Sequence, residues 1–237
     1  MESIFKKTFT VTNNQLDKND HLTLSSILDY IQEVSGNHAD TMKCGYDDLI
    51  DKNLIWVVVR HHIEFYRHLH VGKYIDVETY PLKRRFVEYP RETKIYDNNE
   101  LILAAHTTWV ILDLDTFNFA TNDFVPLEYS NTPSFFDTKF KRIPKKNREE
   151  LTFVKTAEVM YSMLDHNGHM NNSRYLTWFL DIFEEPRDPK SFQIEYLKQS
   201  FSHEKIDLYV HEEHNSKELY GFGEDGLKFY CKAEYED

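Results

Sequence analysis

Asp17-Lys18-Asn19-Asp20-His21-Leu22, near the start of the chain, returns as Asp165-His166-Asn167-Gly168-His169-Met170, 148 residues later. The match runs on, with Ser25, Leu28 and Tyr30 opposite Ser173, Leu176 and Trp178. Farther along, Ile63-Glu64-Phe65 pairs with Ile194-Glu195-Tyr196 and Ile75-Asp76-Val77 with Ile206-Asp207-Leu208, both at an offset of 131. Leu101, Ala105 and Trp109 then align with Leu227, Cys231 and Tyr235. Any one match is open to chance, but a collinear set means two copies of one unit, the second with shorter loops.

Each copy reads as a helix followed by long strands. Leu24, Ile27, Leu28, Ile31 and Val34 follow helical spacing, with Ser25 and Ser26 near the start and Gly36 at the expected end. In the second copy Leu176, Phe179, Leu180 and Phe183 make one stripe that Tyr175, Trp178 and Ile182 widen, which predicts a helix buried on most sides. Strands are expected over residues 55–66, 74–82, 92–96 and 101–114, and over 192–199, 206–213, 219–222 and 227–234. Asp97-Asn98-Asn99 and Asp225-Gly226 mark hairpin turns, so the sheets are antiparallel and the fold class is α+β.

The 237 residues are 41% hydrophobic and 15% aromatic, enough for a real core. A net charge of −12 argues against nucleic acid as the main partner. Residues 1–11 carry Lys6 and Lys7 but no apolar run of signal-peptide length, and no stretch reaches the ~20 apolar residues of a membrane span. A cytoplasmic protein that spans no membrane is the expectation, and Asn171-Asn172-Ser173 then has no meaning as a glycosylation site. Cys44 and Cys231 have neither disulfide-framework nor zinc-type spacing. His61, His62, His68 and His70 invite a metal reading, but no Cys or carboxylate ligand pattern accompanies them, and surface strand positions are expected.

The second copy of the repeat is where the chemistry is expected. If the stretch before the helix is extended, Asp165, Asn167 and His169 share one face. Asn171, Asn172 and Ser173 are each suited to cap a helix whose N-terminal N–H groups and positive dipole end favour an oxyanion. The same residues are also ordinary turn and cap residues, and on spacing alone both readings stand.

Asp165-x-Asn167-x-His169-Met170-Asn171-Asn172, with Tyr175 and Trp178 beyond it, resembles the active-site segment of the acyl-acyl-carrier-protein thioesterases of plants and bacteria. The resemblance implies two tandem hot dog units, each a long antiparallel sheet wrapped around a central helix. It divides the chain into an N-terminal unit at 1–125, a linker at 126–150 and a C-terminal unit at 151–237. The N-terminal unit would be catalytically silent and form the acyl-chain tunnel, with Trp56, Val58, Ile27 and Ile31 as contributors or as plain core. The C-terminal unit would be catalytic.

The implied reaction is hydrolysis of fatty acyl-carrier-protein thioesters in fatty acid biosynthesis, with no cofactor and no metal. Asp165 is then nucleophile or general base, His169 polarises the carbonyl or handles the proton, and Asn167 holds water or the donor. Glu195-Tyr196-Leu197-Lys198-Gln199-Ser200 also resembles the plant enzymes, which place an acidic residue and then a cysteine where this chain has Gln199 and Ser200. A cysteine nucleophile and a glutamate base are therefore absent there, although Gln199 can hydrogen-bond a water. Lys139, Lys141, Arg142, Lys145, Lys146 and Arg148 form a basic cluster that suits an acidic carrier protein, or serves as a solvated linker with no partner. The alternatives are an acyl-CoA thioesterase, a hot dog dehydratase, whose usual His and Glu arrangement this motif does not match, or a non-catalytic acyl- or carrier-binding module. A monomer or a homodimer is expected.

Overall fold

Val, Ile, Thr and aromatic residues dominate the segments after each repeat motif, and they pair as their alternation requires. The computed structural model describes residues 3–120, 124–126, 131–137, 140, 142–184 and 188–236. The chain forms two compact units, Met1–Lys139 and Phe140–Asp237. The first holds β1 (Phe5–Thr10), α1 (Leu24–Thr41), α2 (Tyr46–Ile50), β2 (Leu54–Phe65), β3 (Tyr74–Pro81), β4 (Tyr89–Asp97) and β5 (Glu100–Asp113). Its sheet is antiparallel, in the order β1-β3-β4-β5-β2.

The Thr23 side chain accepts the Ser26 N–H at 3.1 Å and starts α1, a cap worth ~1 kcal/mol. The helix runs past Gly36, where the residue pattern placed its end, because Ser35, His38 and Ala39 continue the buried face. An exposed glycine costs a helix only ~1 kcal/mol, less than that burial returns. Asn98 and Asn99, with φ of 49° and 65°, make the two-residue turn into β5.

The second unit holds β6 (Thr152–Glu158), α3 (Tyr175–Phe183), β7 (Ser191–Tyr196), β8 (Lys205–Glu213), β9 (Ser216–Gly223) and β10 (Gly226–Glu234), with sheet order β7-β10-β9-β8-β6. α3 has 9 residues against 18 in α1. Tyr175, Leu176, Trp178 and Phe179 are buried, while Leu180, Ile182 and Phe183 are half-buried, so enclosure is strongest in its first turns.

The duplication extends to strand register. Ile63 pairs with Ala105 and Ile194 with Cys231, and all four are fully buried. Thr79 pairs with Thr93 as Val210 does with Leu219, and Lys7 with Val77 as Lys155 does with Leu208. The last correspondence includes β1 and β6, two strands absent from the expectation. β1 alternates half-buried and exposed residues, and β6 is exposed along nearly its whole length, so no apolar run marks either edge strand. β7 ends at Tyr196, which leaves Gln199 beyond the strand rather than in it.

The segment read as a linker is mostly exposed where it is described, and a few of its residues anchor it to its neighbours. The buried Glu92 carboxylate accepts the Ser134 hydroxyl at 2.5 Å and the Phe135 N–H at 2.7 Å. Ile143 is buried with Tyr220 and Tyr230, and its N–H donates to Glu195 at 3.3 Å. Arg148 bonds Asp207 at 3.0 Å and lies over the Tyr209 and Phe222 rings. Lys139 and Lys141 lie outside the described residues. His61 departs from its expected surface position. It is buried, with Nδ1 2.9 Å from the Thr107 hydroxyl, because β2 turns that face inward, while His68 and His70 lie beyond the strand.

Candidate active site

Of the two readings that spacing left open for the stretch 164–170, the structure has the closed turn and not the extended segment. Leu164 and Met170 bridge its ends, the Asp165 N–H donates to the His169 carbonyl at 2.8 Å, and the Gly168 N–H to the Asp165 carbonyl at 3.1 Å. The Asp165 Oδ1 accepts the N–H groups of Asn167 at 2.8 Å and His169 at 3.2 Å. A short carboxylate that captures backbone donors two and four residues on folds its own chain back, which is why the strand reading fails here. Gly168 sits at φ 78°, a left-handed conformation that glycine adopts without strain.

Asn171 then caps the helical segment, its Oδ1 accepting both the N–H and the hydroxyl of Ser173 at 3.0 Å. A 3-10 turn over Asn172–Arg174 leads into α3. The Tyr196 hydroxyl donates to the Asn172 carbonyl at 2.8 Å.

The tertiary fold brings the Gln199 segment to this turn. Met170 donates its N–H to the Ser200 carbonyl at 2.8 Å, His169 bridges Phe201, and their rings meet edge to face at 5.1 Å. Asp165, Asn167, His169 and Gln199 are all partly exposed. No hydrogen bond links the side chains of Asp165, His169 and Gln199 to one another among the described residues. Tyr175 stacks edge-on against Tyr196 and Phe229, and burial pushes its hydroxyl up to about 12 despite the Ser200 hydroxyl and backbone beside it. The buried Ser200 Oγ has no partner at hydrogen-bond distance among the described residues. Burial also holds the Tyr196 hydroxyl well above its ordinary value, so both phenols are neutral donors.

The first copy serves as an internal control. Asp17 holds the N–H groups of Asn19 at 2.7 Å and His21 at 3.0 Å, Leu22 donates to the Leu69 carbonyl at 2.9 Å, and Asp20 takes the left-handed position at φ 62°. Asp, Asn and His in this turn are therefore common to both copies. The differences lie around it: Tyr175, Tyr196 and Ser200 stand where the first copy has Ile27, Phe65 and Leu69. Tyr175, Tyr196 and Ser200 stood in the matched segments without a role, although the repeat alignment itself carries that signal.

A groove of about 680 Å³ on the second unit is lined by Arg148, Lys205, Asp207 and Phe222 among others, and one of about 420 Å³ on the first by Lys6, Lys7 and Asp76 among others. Neither includes a motif residue. Among the described residues no three His, Cys, Asp or Glu side chains form a metal-binding group.

Residues 2–121 match the family model of the acyl-ACP thioesterase N-terminal domain, and residues 146–226 that of the C-terminal domain. The chain belongs to the acyl-ACP thioesterase family. Among its relatives, an oleoyl-acyl carrier protein thioesterase of Arabidopsis thaliana is 28% identical over 80% of this chain and 58% of its own length. Another, from Coriandrum sativum, is 29% identical over 75% and 53%. The chain thus spans about half the length of the curated relatives it matches. The crystal structure of an acyl-ACP thioesterase from Bacteroides thetaiotaomicron superposes with a TM-score of 0.88 at 21% identity, covering 99% of this chain and 98% of that one. The 12:0-ACP thioesterase of Umbellularia californica gives 0.86 at 18%, covering 100% and 98%. Both units accordingly have the hot dog fold of the family.

Proposed function

We propose that the chain hydrolyses fatty acyl thioesters of acyl carrier protein, releasing the free fatty acid and the carrier thiol. The observation that carries this reading is the match of both halves of the chain to one thioesterase family, with the Asp165–His169 turn packed against the Gln199 segment in the second half. The names of the relatives, oleoyl- and other acyl-carrier-protein thioesterases, support the carrier-bound substrate.

In the reaction, water adds to the thioester carbonyl, the carbon–sulfur bond breaks, and the leaving thiolate takes up a proton. Asp165 acts as nucleophile or general base through the oxygen that the turn does not use, and His169 polarises the carbonyl or moves the proton. Asn167 holds the water or the donor. Gln199 is a hydrogen-bonding partner for the water, since a carboxamide neither gives nor takes a proton at neutral pH. The first copy, which lacks the hydroxyls and the Asn cap, takes no part in the chemistry.

Gln199 is also the observation that favours a second reading, an acyl-thioester binder without turnover. Purified protein incubated with acyl-carrier-protein and acyl-CoA substrates of several chain lengths separates them by thiol release. Release from the carrier substrate supports hydrolysis, release from acyl-CoA alone changes the donor, and release from neither leaves the binder.

A further inference from the structure

Lys228 on β10 is 3% exposed. Its ammonium donates to the Gln199 carbonyl at 2.9 Å and pairs with Glu204 at 2.7 Å and Asp225 at 3.1 Å. Gly223 makes the room: a Cβ there would stand 2.6 Å from Lys228 Cε and 2.7 Å from Glu204 Oε1. Burial by itself lowers the affinity of the amine for its proton, but the hydrogen bonds and charges of Glu204 and Asp225 outweigh it and raise the pKa, so the group is a fixed cation.

The first copy shows that the fold does not require this cation. Leu197 donates its N–H to the Lys228 carbonyl at 2.8 Å, just as Tyr66 donates to the carbonyl of Ile102 at 2.8 Å. Ile102 occupies the same strand position and is equally buried, at 3%. Taking an ammonium out of water is costly, and an apolar residue of similar volume commonly serves stability as well or better. Lys228 bonds polar groups of the segment 199–204, which an isoleucine, having no side-chain donor, cannot do for the matching segment of the first copy. Glu204 in turn accepts the Phe201 N–H at 3.0 Å. The same segment offers the Ser200 carbonyl to Met170 and the Phe201 ring to His169.

We propose that Lys228 is a positioning residue of the candidate site, clamping residues 199–204 so that Gln199 and Phe201 stand against the His169 turn. The catalytic half of this inference rests on the thioesterase reading above; the mechanical half does not. The clamp replaces a generic core contact with two directional bonds to the segment, at Gln199 and Glu204, and a third to Asp225 that holds the ammonium itself, which fix the segment in one place where an isoleucine would let it slide.

The test is the double variant Lys228→Met with Glu204→Gln, which removes both charges so that neither is left buried alone, alongside Lys228→Met. Two readouts are taken: amide exchange at Met170, with Leu22 as the matching amide of the first copy, and kcat and KM on an acyl-carrier-protein substrate. Exchange at Met170 should rise about tenfold or more while Leu22 is unchanged. kcat should fall about tenfold or more with KM within about twofold and the melting temperature maintained, the pattern of a misplaced group rather than a weakened fold. Met170 exchange unchanged in both variants overturns the clamp whatever the activity does. Faster Met170 exchange together with an unaltered kcat overturns the catalytic half. A wild-type protein that releases no thiol, while Met170 exchange still rises in the variants, refutes the thioesterase reading and upholds the clamp.

Discussion

The Asp165 carboxylate holds the backbone N–H of His169 at 3.2 Å, and Asp17 holds that of His21 at 3.0 Å in the same kind of turn. One carboxylate oxygen therefore shapes the chain in both copies, and the chemistry proposed for Asp165 would be a second use of the same side chain. Asparagine keeps the acceptor and removes the charge. Asp165→Asn should keep the melting temperature within a few degrees while turnover falls ~100-fold, and Asp17→Asn should alter neither by much. Full turnover in Asp165→Asn would confine that residue to the turn.

His169 and His21 occupy matching positions beside Phe201 and His70 respectively. Replacing His169 with Ala should cut turnover ~100-fold or more, whereas His21→Ala should leave it within a few-fold. Steady-state kinetics of the two variants side by side decides the point, and equal losses would refute a division of labour between the copies.

Gln199 hydrogen-bonds through its carbonyl to Lys228 and is half-buried, next in sequence to Ser200, whose carbonyl accepts the Met170 N–H of the turn. Gln199→Glu introduces a group able to take a proton where the plant pattern has one. Turnover should change severalfold and acquire a new acidic limb in its pH profile, because a carboxylate must be ionised to act as a base. A profile superimposable on the wild type would remove this side chain from the site.

His61 stays neutral in the folded unit because burial lowers its pKa to about 3, and burial followed by the Arg91 charge lowers that of His38 to about 4. Unfolded, both titrate near 6.5. The unfolded chain therefore binds more protons than the folded one as the pH falls below that value, so stability is present above it and lost on acidification. His61 alone contributes a slope of ~1.4 kcal/mol per pH unit in the window between its two pKa values. Urea midpoints measured from pH 7 to 5 should fall steadily, and His61→Gln should flatten the curve. The same slope in the variant would show that His61 titrates normally.

Legibility in the sequence followed the range of each interaction. The Asn98-Asn99 turn and the long β2 and β5 strands depend on neighbours a few residues away, and their residue types declare them, whereas the α1 cap fell to Thr23 and not to the Ser25 and Ser26 that stood out near the helix start. β6 was invisible because an edge strand exposed on both faces needs no apolar pattern. The Asp165 turn stayed open between two readings because alternation along a strand and donors two and four residues on in a turn present the same spacing.

By itself the amino-acid sequence determined the duplication, the helix and strand types and the residues of the repeated turn, because repeats, periodicity and caps are local or self-referential. Only the tertiary structure decided that the Gln199 segment lies against His169, that His61 is enclosed, and that Lys228 spends its charge on a carbonyl 29 residues away. Those relations join residues with no local tie, and strand register and burial in the folded unit alone create them.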